Sequence, residues 1–284
     1  MTTDQDTFSR SATIHTVVGG GGQALHVREW GPAEGPPVLL IHGWSGNHLC
    51  WRHQVESALV EQFRVVALDL RGHGMSGRGL DASLYQDPGL WAADVAAVIE
   101  QLYLDRPTVV GWSYGGFVIC DYVRVYGQSA ISAINFVGAA THLNQHFDDI
   151  GPAFLSNAPA GADPDLPTRI AALRRFWRSM SAEPLDPADF ETGLCGSVNV
   201  PPQVLGALIS RQIDSDQVLA GLTVPILVSH GRLDQIVLPT MAKHILQVCP
   251  TARASWYDRV GHVPFAEEPA RFNDELAELA RTGR

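Results

Sequence analysis

Three residues whose side chains can carry out nucleophilic chemistry lie far apart in the sequence: Ser113, Asp234 and His262. A serine hydroxyl becomes an effective nucleophile when a histidine removes its proton and an acid orients that histidine. Together they could cleave an ester-like bond through a covalent acyl-enzyme, provided that the fold brings them to one place.

The serine lies in the sequence Gly111-Trp112-Ser113-Tyr114-Gly115, which matches the short motif G-x-S-x-G. An apolar run at residues 107–111 precedes Ser113, and a helical pattern at residues 114–126 follows it. A strand that turns sharply into a helix exposes the serine hydroxyl above the end of a sheet. The context, more than the motif itself, predicts that Ser113 is a nucleophile.

The order serine, acid, histidine along the chain restricts the choice of base. Of the eleven histidines, His230, His244 and His262 lie late enough in the sequence. His230 precedes the expected acid, and His244 falls in a helical pattern. His262 follows the last predicted strand in a loop shaped by Gly261 and Pro264, and is the predicted general base.

Two aspartates compete for the role of acid. Asp234 follows the apolar run at residues 225–230, at the same end of the expected sheet as Ser113 and His262. Asp258 is closer to His262 in sequence but precedes its loop. Asp234 is therefore the predicted partner of the histidine.

An oxyanion needs backbone N–H donors. Tyr114 N–H is the first candidate, because it follows the nucleophile at a helix N-terminus. Trp44 N–H, in the loop after an early strand, is the second. Neighbouring His42 is expected to hold that loop by hydrogen bonds.

Short apolar runs separated by helical patterns favour an α/β fold with a doubly wound, mostly parallel sheet. Two strand-like runs, at residues 13–18 and 24–30, flank four glycines and predict an opening hairpin. The other predicted strands are residues 37–41, 64–69, 107–111, 131–137, 225–230 and 254–257. The predicted helices include residues 90–103, 114–126 and 238–248.

Residues 141–218 interrupt this alternation and contain no convincing buried strand. We predict a helical cap there, inserted into a core of residues 1–140 and 219–284. The pair His142 and His146 lacks the glutamate of a zinc protease, and a polar cap segment is favoured over a metal site. Four aromatic residues could line an acyl pocket or form the core of the cap: Phe147, Phe154, Phe176 and Trp177.

Composition bounds the function further. The chain has 284 residues, a net charge of −10 and four widely spaced cysteines. Without clustered basic residues, nucleic-acid binding is not expected, and no C-x-x-C pair suggests a redox or zinc site. With neither a signal peptide nor an apolar span, we expect a cytoplasmic protein that acts on a small molecule without a membrane. The oligomeric state, including a homo-oligomer, is left open.

Five motifs in order resemble the α/β-hydrolase family, in particular its capped esterase, perhydrolase and carbon–carbon hydrolase branch. They are residues 41–44 (IHGW), 69–76 (DLRGHGMS), 111–116 (GWSYGG), 231–234 (GRLD) and 261–269 (GHVPFAEEP). The resemblance implies a Ser113–Asp234–His262 triad, an oxyanion hole at Trp44 and Tyr114, a structural turn at residues 69–76, and no cofactor or metal.

The resemblance also limits the reaction. Serine at position 113 argues against the dehalogenases and epoxide hydrolases of this fold, whose nucleophile is an aspartate. The primary expectation is hydrolysis of a carboxylic ester, lactone or related acyl bond. Cofactor-free dioxygenation, carbon–carbon bond hydrolysis and non-catalytic binding of a small ligand remain alternatives.

Overall fold

The computed structural model describes residues 12–143 and 147–283. Ten strands occur in these ranges: β1 (Thr13–Val18), β2 (Ala24–Trp30), β3 (Pro37–Ile41), β4 (Arg64–Leu68), β5 (Thr108–Trp112), β6 (Ala133–Val137), β7 (His142–Leu143), β8 (Ile213–Asp214), β9 (Ile226–Gly231) and β10 (Ala252–Tyr257). Eight of them form one sheet in the order β1-β2-β4-β3-β5-β6-β9-β10. Only the β1–β2 and β2–β4 pairings of this sheet are antiparallel.

The central strands are buried along their whole length, as expected for a parallel sheet covered on both faces. Every residue of β3, β5 and β6 is buried. The edge strand β1 is mostly exposed. The predicted mostly parallel α/β sheet is therefore confirmed, including the opening hairpin and all six later strands.

Thirteen α-helices lie in the described ranges: α1 (Arg52–Val55), α2 (Leu59–Gln62), α3 (Ser83–Gln86), α4 (Pro88–Gln101), α5 (Gly115–Tyr126), α6 (Pro152–Gly161), α7 (Leu166–Arg178), α8 (Pro187–Val198), α9 (Pro202–Ile209), α10 (Asp216–Ala220), α11 (Pro239–Val248), α12 (Pro264–Glu267) and α13 (Pro269–Thr282). The α4 helix begins two residues before its predicted start. Asp87 accepts a hydrogen bond from Gly89 N and Pro88 occupies the first turn, a combination that favours helix initiation.

The helices α6 to α9 lie between β6 and β9, in residues 141–218, for which the sequence predicted helices. We refer to these residues as the inserted segment. The sequence predicted no convincing buried strand there, and the described residues add only a two-residue antiparallel pair, β7 and β8, which is partly exposed. Two residues are too few to produce a readable alternation. The segment contacts the loop after β3: Trp44 Nε1 donates to Leu205 O at 3.2 Å, and Ser197 Oγ donates to Ser45 O at 2.9 Å.

The turn at residues 69–76 is held by buried polar contacts. Asp69 Oδ1 accepts from His48 N at 2.7 Å, and Asp69 Oδ2 accepts from Met75 N at 2.8 Å. Arg71 forms a buried ion pair with Asp94, with 2.7 Å between Nε and Oδ2. These contacts support the interpretation of residues 69–76 as a structural turn, which the family resemblance implies.

Across residues 12–143 and 147–283, no helix combines the length and the apolar character that a membrane crossing requires.

Candidate active site

Ser113 lies at the tip of the turn between β5 and α5, in a backbone conformation that is unfavourable for a residue with a side chain. Its φ is 54°, in the left-handed region that non-glycine residues rarely adopt. Hydrogen bonds hold it there: Ser113 N donates to Val137 O at 3.0 Å, and Gly116 N and Ala140 N donate to Ser113 O at 3.0 and 3.1 Å. Strain maintained by its surroundings is typical of functional positions.

Two glycines permit the close packing around this turn. A Cβ atom at Gly43 would lie 2.9 Å from Ser113 Cβ, and one at Gly115 would lie 2.6 Å from Ile41 O. Both distances are shorter than side-chain atoms tolerate, so the loop after β3 reaches the serine only because glycine occupies these positions.

His262 and Asp234 form a buried pair. The two atoms His262 Nδ1 and Asp234 Oδ2 are 2.7 Å apart, and both side chains are fully buried. The other carboxylate oxygen, Oδ1, accepts from Ile236 N and Val237 N at 2.8 and 3.0 Å. Asp234 is thus fixed in the orientation that presents one oxygen to the imidazole.

The backbone of His262 is held from two sides. Its N–H donates to Met180 O of the inserted segment at 2.6 Å. Its carbonyl oxygen accepts from Trp112 Nε1 at 3.0 Å. Because Trp112 immediately precedes Ser113, the same contact ties the histidine loop to the serine turn.

The second ring nitrogen of His262, Nε2, is buried and has no hydrogen-bond partner among the described residues. With Nδ1–H donating to Asp234, Nε2 is the atom that can accept a proton. No hydrogen bond joins Ser113 and His262 in this structure, although both residues follow strands of the same sheet, β5 and β10. Such bonds are often long without substrate and tighten when it binds.

The residues that competed for these roles lie elsewhere. Asp258 has an 82% exposed side chain and pairs with Arg232 at 2.7 Å. His244 pairs with Asp216 at 2.8 Å on another part of the surface. Neither Asp258 nor His244 therefore takes part in the pair that Asp234 and His262 form.

His230 is a neighbour of Asp234 that the sequence did not predict. Its Nε2 donates to Val237 O at 3.0 Å and lies 3.4 Å from Asp234 Oδ2. Burial lowers the pKa of His230, so its ring stays neutral. Its position at the end of β9, four residues before the acid, was the only signal in the sequence.

His42 orders the loop that carries Trp44. Leu70 N donates to His42 Nε2 at 3.0 Å, which leaves Nδ1–H to donate to Gly43 O at 2.8 Å. Burial lowers the pKa of His42 to about 4. The ring is therefore neutral at physiological pH, in the structural role that the sequence predicted.

An apolar pocket opens beside the serine. The two residues proposed as oxyanion donors, Trp44 and Tyr114, line it together with Ser113. The remaining lining residues are apolar: Phe117, Ala140, Leu143, Ile150, Phe154, Leu208, Ile209, Ile236 and Val237.

The four aromatic residues of the inserted segment divide between pocket and core. Phe154 lines the pocket, and Phe176 packs edge-on against Trp44 with ring centroids 5.2 Å apart. Trp177 is buried and donates from Nε1 to Ser197 Oγ at 2.7 Å. Phe147 is partly buried against the hydrophobic core.

The chain belongs to the family described as the alpha/beta hydrolase fold, whose model matches residues 36–269. Among its relatives, a non-heme chloroperoxidase from Streptomyces lividans is 28% identical over 94% of this chain and 99% of its own length. A bifunctional esterase/perhydrolase from Acinetobacter calcoaceticus is 28% identical over 76% of this chain and 80% of its own.

Solved structures agree with this assignment. A putative aryl esterase from Burkholderia cenocepacia superposes with a TM-score of 0.90 at 32% identity, covering 95% of this chain and 99% of that one. An esterase from Rhodococcus sp. ECU1013 gives 0.89 at 33% identity with the same coverage. Both fold and family are therefore those that the sequence motifs predicted.

Proposed function

We propose that the protein hydrolyses a carboxylic ester, lactone or related acyl bond of a small molecule, with Ser113, His262 and Asp234 as its catalytic triad. One observation carries the proposal: the buried His262–Asp234 pair leaves Nε2 of the imidazole without a partner, in a loop that Trp112 ties to the turn of Ser113. Esterase relatives that cover nearly the whole chain support the same reaction class.

In the first half of the reaction, Ser113 Oγ attacks the carbonyl carbon while its proton passes to His262 Nε2. Asp234 stabilises the imidazolium that forms. The N–H groups of Trp44 and Tyr114 stabilise the negative charge on the carbonyl oxygen. When the tetrahedral intermediate collapses, the alcohol leaves with the proton from His262 and the acyl group stays on Ser113.

In the second half, water attacks the acyl-enzyme. His262 accepts a proton from the water and returns it to Ser113 Oγ as the ester bond to the enzyme breaks. The products are the free carboxylic acid and the regenerated enzyme, so neither a cofactor nor a metal ion is required.

The pocket indicates the kind of acyl group. Its lining is apolar apart from Ser113 and the Tyr114 hydroxyl, and that hydroxyl is engaged by Arg211 at 3.1 Å. The substrate is therefore a small ester with an apolar acyl chain. In this proposal residues 141–218 act as a cap over the core of residues 1–140 and 219–284, and supply Phe154 and Leu208 to the pocket wall.

A fluorophosphonate probe tests the nucleophile. We expect one adduct per chain by intact mass, located on the Ser113 peptide and absent from Ser113→Ala and His262→Ala. Hydrolysis of p-nitrophenyl acetate by Ser113→Ala should fall by about three orders of magnitude or more.

Replacement of an exposed serine on α6, Ser156→Ala, is the matched control and should change neither readout. If the folded wild-type protein gains no adduct and hydrolyses no small ester, the assignment as a serine hydrolase is wrong. Oxygen uptake with an added substrate would then favour dioxygenation, and ligand binding without turnover would favour a binding protein.

A further inference from the structure

Four side chains of types that can bind a metal ion meet in a partly exposed group that three segments of the chain form. We refer to His142, Asp149, Asp216 and His244 as the His142 cluster. His142 Nε2 lies 2.9 Å from Asp149 Oδ2, and His244 Nε2 lies 2.8 Å from Asp216 Oδ1. The rings of the two histidines meet edge-to-face with centroids 4.7 Å apart.

We propose that this cluster binds a divalent transition-metal ion such as Zn²⁺. His142, Asp216 and His244 would be the ligands, and Asp149 would orient His142. Two imidazoles with a carboxylate are a donor set that zinc accepts, and a water molecule would complete a tetrahedral site.

The distances between the potential ligand atoms fit a tetrahedral zinc site after a small adjustment. One potential ligand atom from each of His142, Asp216 and His244 lies within 4.8 Å of the others. Bonds of about 2.0–2.1 Å in a tetrahedron place ligand atoms about 3.3 Å apart. The three side chains are only partly buried, so rotation about their side-chain bonds can close this difference.

An unpartnered atom points independently to a ligand. His142 Nδ1 is buried and has no hydrogen-bond partner within residues 12–143 and 147–283. Meanwhile Nε2 of the same ring faces the Asp149 carboxylate. A carboxylate on one nitrogen and a metal on the other is the arrangement that orients many metal-binding histidines.

A second histidine cluster in the described chain differs in how its carboxylate is already used. His26, His48 and Asp69 also lie within reach of one ion. However, the Asp69 carboxylate already accepts from His48 N, His48 Nδ1 and Met75 N at 2.7, 2.8 and 2.8 Å. Its oxygens hold a structural turn and are poorly placed to bind an ion.

The consequence of binding follows from where the ligands lie. His142 belongs to β7 and Asp216 begins α10, so they lie near the two ends of the inserted segment; His244 belongs to the core helix α11. An ion would tie both ends to the core. Leu143 and Ile150, the neighbours of His142 and Asp149, line the pocket, so the ion would also restrain part of the pocket wall.

The test uses untagged full-length protein freed of metal with a chelator and titrated with Zn²⁺ or Co²⁺. We expect one ion per chain, visible d–d absorption from tetrahedral Co²⁺, and X-ray absorption with imidazole scattering and nitrogen or oxygen donors at about 2.0–2.1 Å from Zn²⁺. Zn²⁺ should raise the midpoint of thermal unfolding, because it binds the folded state. Binding should weaken at acidic pH, where protons compete for the ligands.

Two variants separate loss of the site from loss of the fold. His244→Ala and Asp216→Asn should each weaken Zn²⁺ binding at least tenfold while the far-ultraviolet circular dichroism is unchanged. His53→Ala removes another histidine–aspartate pair, His53 with Asp189 at 2.7 Å, and should bind like the wild type. The proposal is overturned if the wild type binds no ion, or if both cluster variants bind as the wild type does; neither result depends on the role of Ser113.

Discussion

At the scale of single residues, Asp234 divides its two oxygens between two tasks. Oδ1 accepts from two backbone N–H groups in the turn after β9, and Oδ2 accepts from His262. The turn therefore fixes the carboxylate, and the carboxylate fixes which imidazole nitrogen carries the proton. His230, 3.4 Å from Oδ2, adds a neutral ring on the same side.

Asp234→Asn should abolish most of the activity without disturbing the fold. The amide oxygen can still accept from Ile236 N and Val237 N, which leaves the amide NH₂ group to face His262. That group donates to Nδ1 and forces the proton onto Nε2, where it blocks proton transfer from Ser113. We expect kcat for p-nitrophenyl acetate to fall by about 10⁴.

The competing acid provides the control for this measurement. Asp258→Asn changes an exposed carboxylate that pairs with Arg232, and kcat should stay within about twofold of the wild type because surface ion pairs contribute little. A tenfold or greater loss in Asp258→Asn, or the retention of a tenth of the activity by Asp234→Asn, would contradict the assigned acid.

At the scale of secondary structure elements, one buried arginine connects the inserted segment to the serine turn. Arg211 follows α9 and is only 5% exposed. Its Nη1 donates to Tyr114 OH at 3.1 Å, and its Nη2 donates to Asp121 Oδ2 on α5 at 2.7 Å. Burial is the main reason why the pKa values of Tyr114 and Asp121 are raised, to about 12 in the case of Tyr114.

Arg211→Met should therefore destabilise the protein strongly, because it leaves Asp121 buried with one cationic partner fewer. Breaking a buried ion pair from one side costs about 3–5 kcal/mol in the free energy of unfolding. Urea denaturation of Arg211→Met, Asp121→Asn and the double variant measures the effect. The double variant should be more stable than Arg211→Met, since it has no uncompensated charge.

Arg124 is the matched control, because it contacts the other oxygen of Asp121 at 3.0 Å but is 36% exposed. Arg124→Met should lower the free energy of unfolding by about 1 kcal/mol or less. Equal losses in Arg124→Met and Arg211→Met would mean that burial does not distinguish the two arginines.

The elements also explain what the sequence could and could not predict. Runs of buried apolar residues identified the strands of the sheet, and the carboxyl ends of parallel strands meet at one edge. The pairing of Asp234 with His262 was therefore predictable, whereas the triad with Ser113 stays a prediction. The β7–β8 pair was too short to detect. Contacts such as Arg211 with Tyr114, or His142 with His244, depend on how distant segments pack, and no local pattern encodes them.

At the scale of the whole molecule, one carboxyl group connects the inserted segment to the loop of the proposed base. Glu267, at the end of α12, accepts from Gly261 N at 2.9 Å and from Ala182 N at 2.8 Å. Burial raises the pKa of Glu267 from its ordinary value of 4.5 to about 7. The folded state therefore holds a proton on Glu267 at pH values where the unfolded chain has released it.

This difference in proton binding predicts how the stability of the whole fold changes with pH. Between about pH 4.5 and 7 the folded protein binds more protons at Glu267 than the unfolded chain, so the contribution of this group to the free energy of unfolding falls as pH rises. Glu267→Gln, which carries no titratable proton, should resemble the wild type near pH 5 and lose less stability towards pH 8. Urea denaturation across this range measures the two slopes. Glu278→Gln changes an exposed acid on α13 and should keep the wild-type slope of the free energy of unfolding against pH. If Glu267→Gln and the wild type have equal slopes, Glu267 is ionised in the folded protein and joins the two loops as a carboxylate.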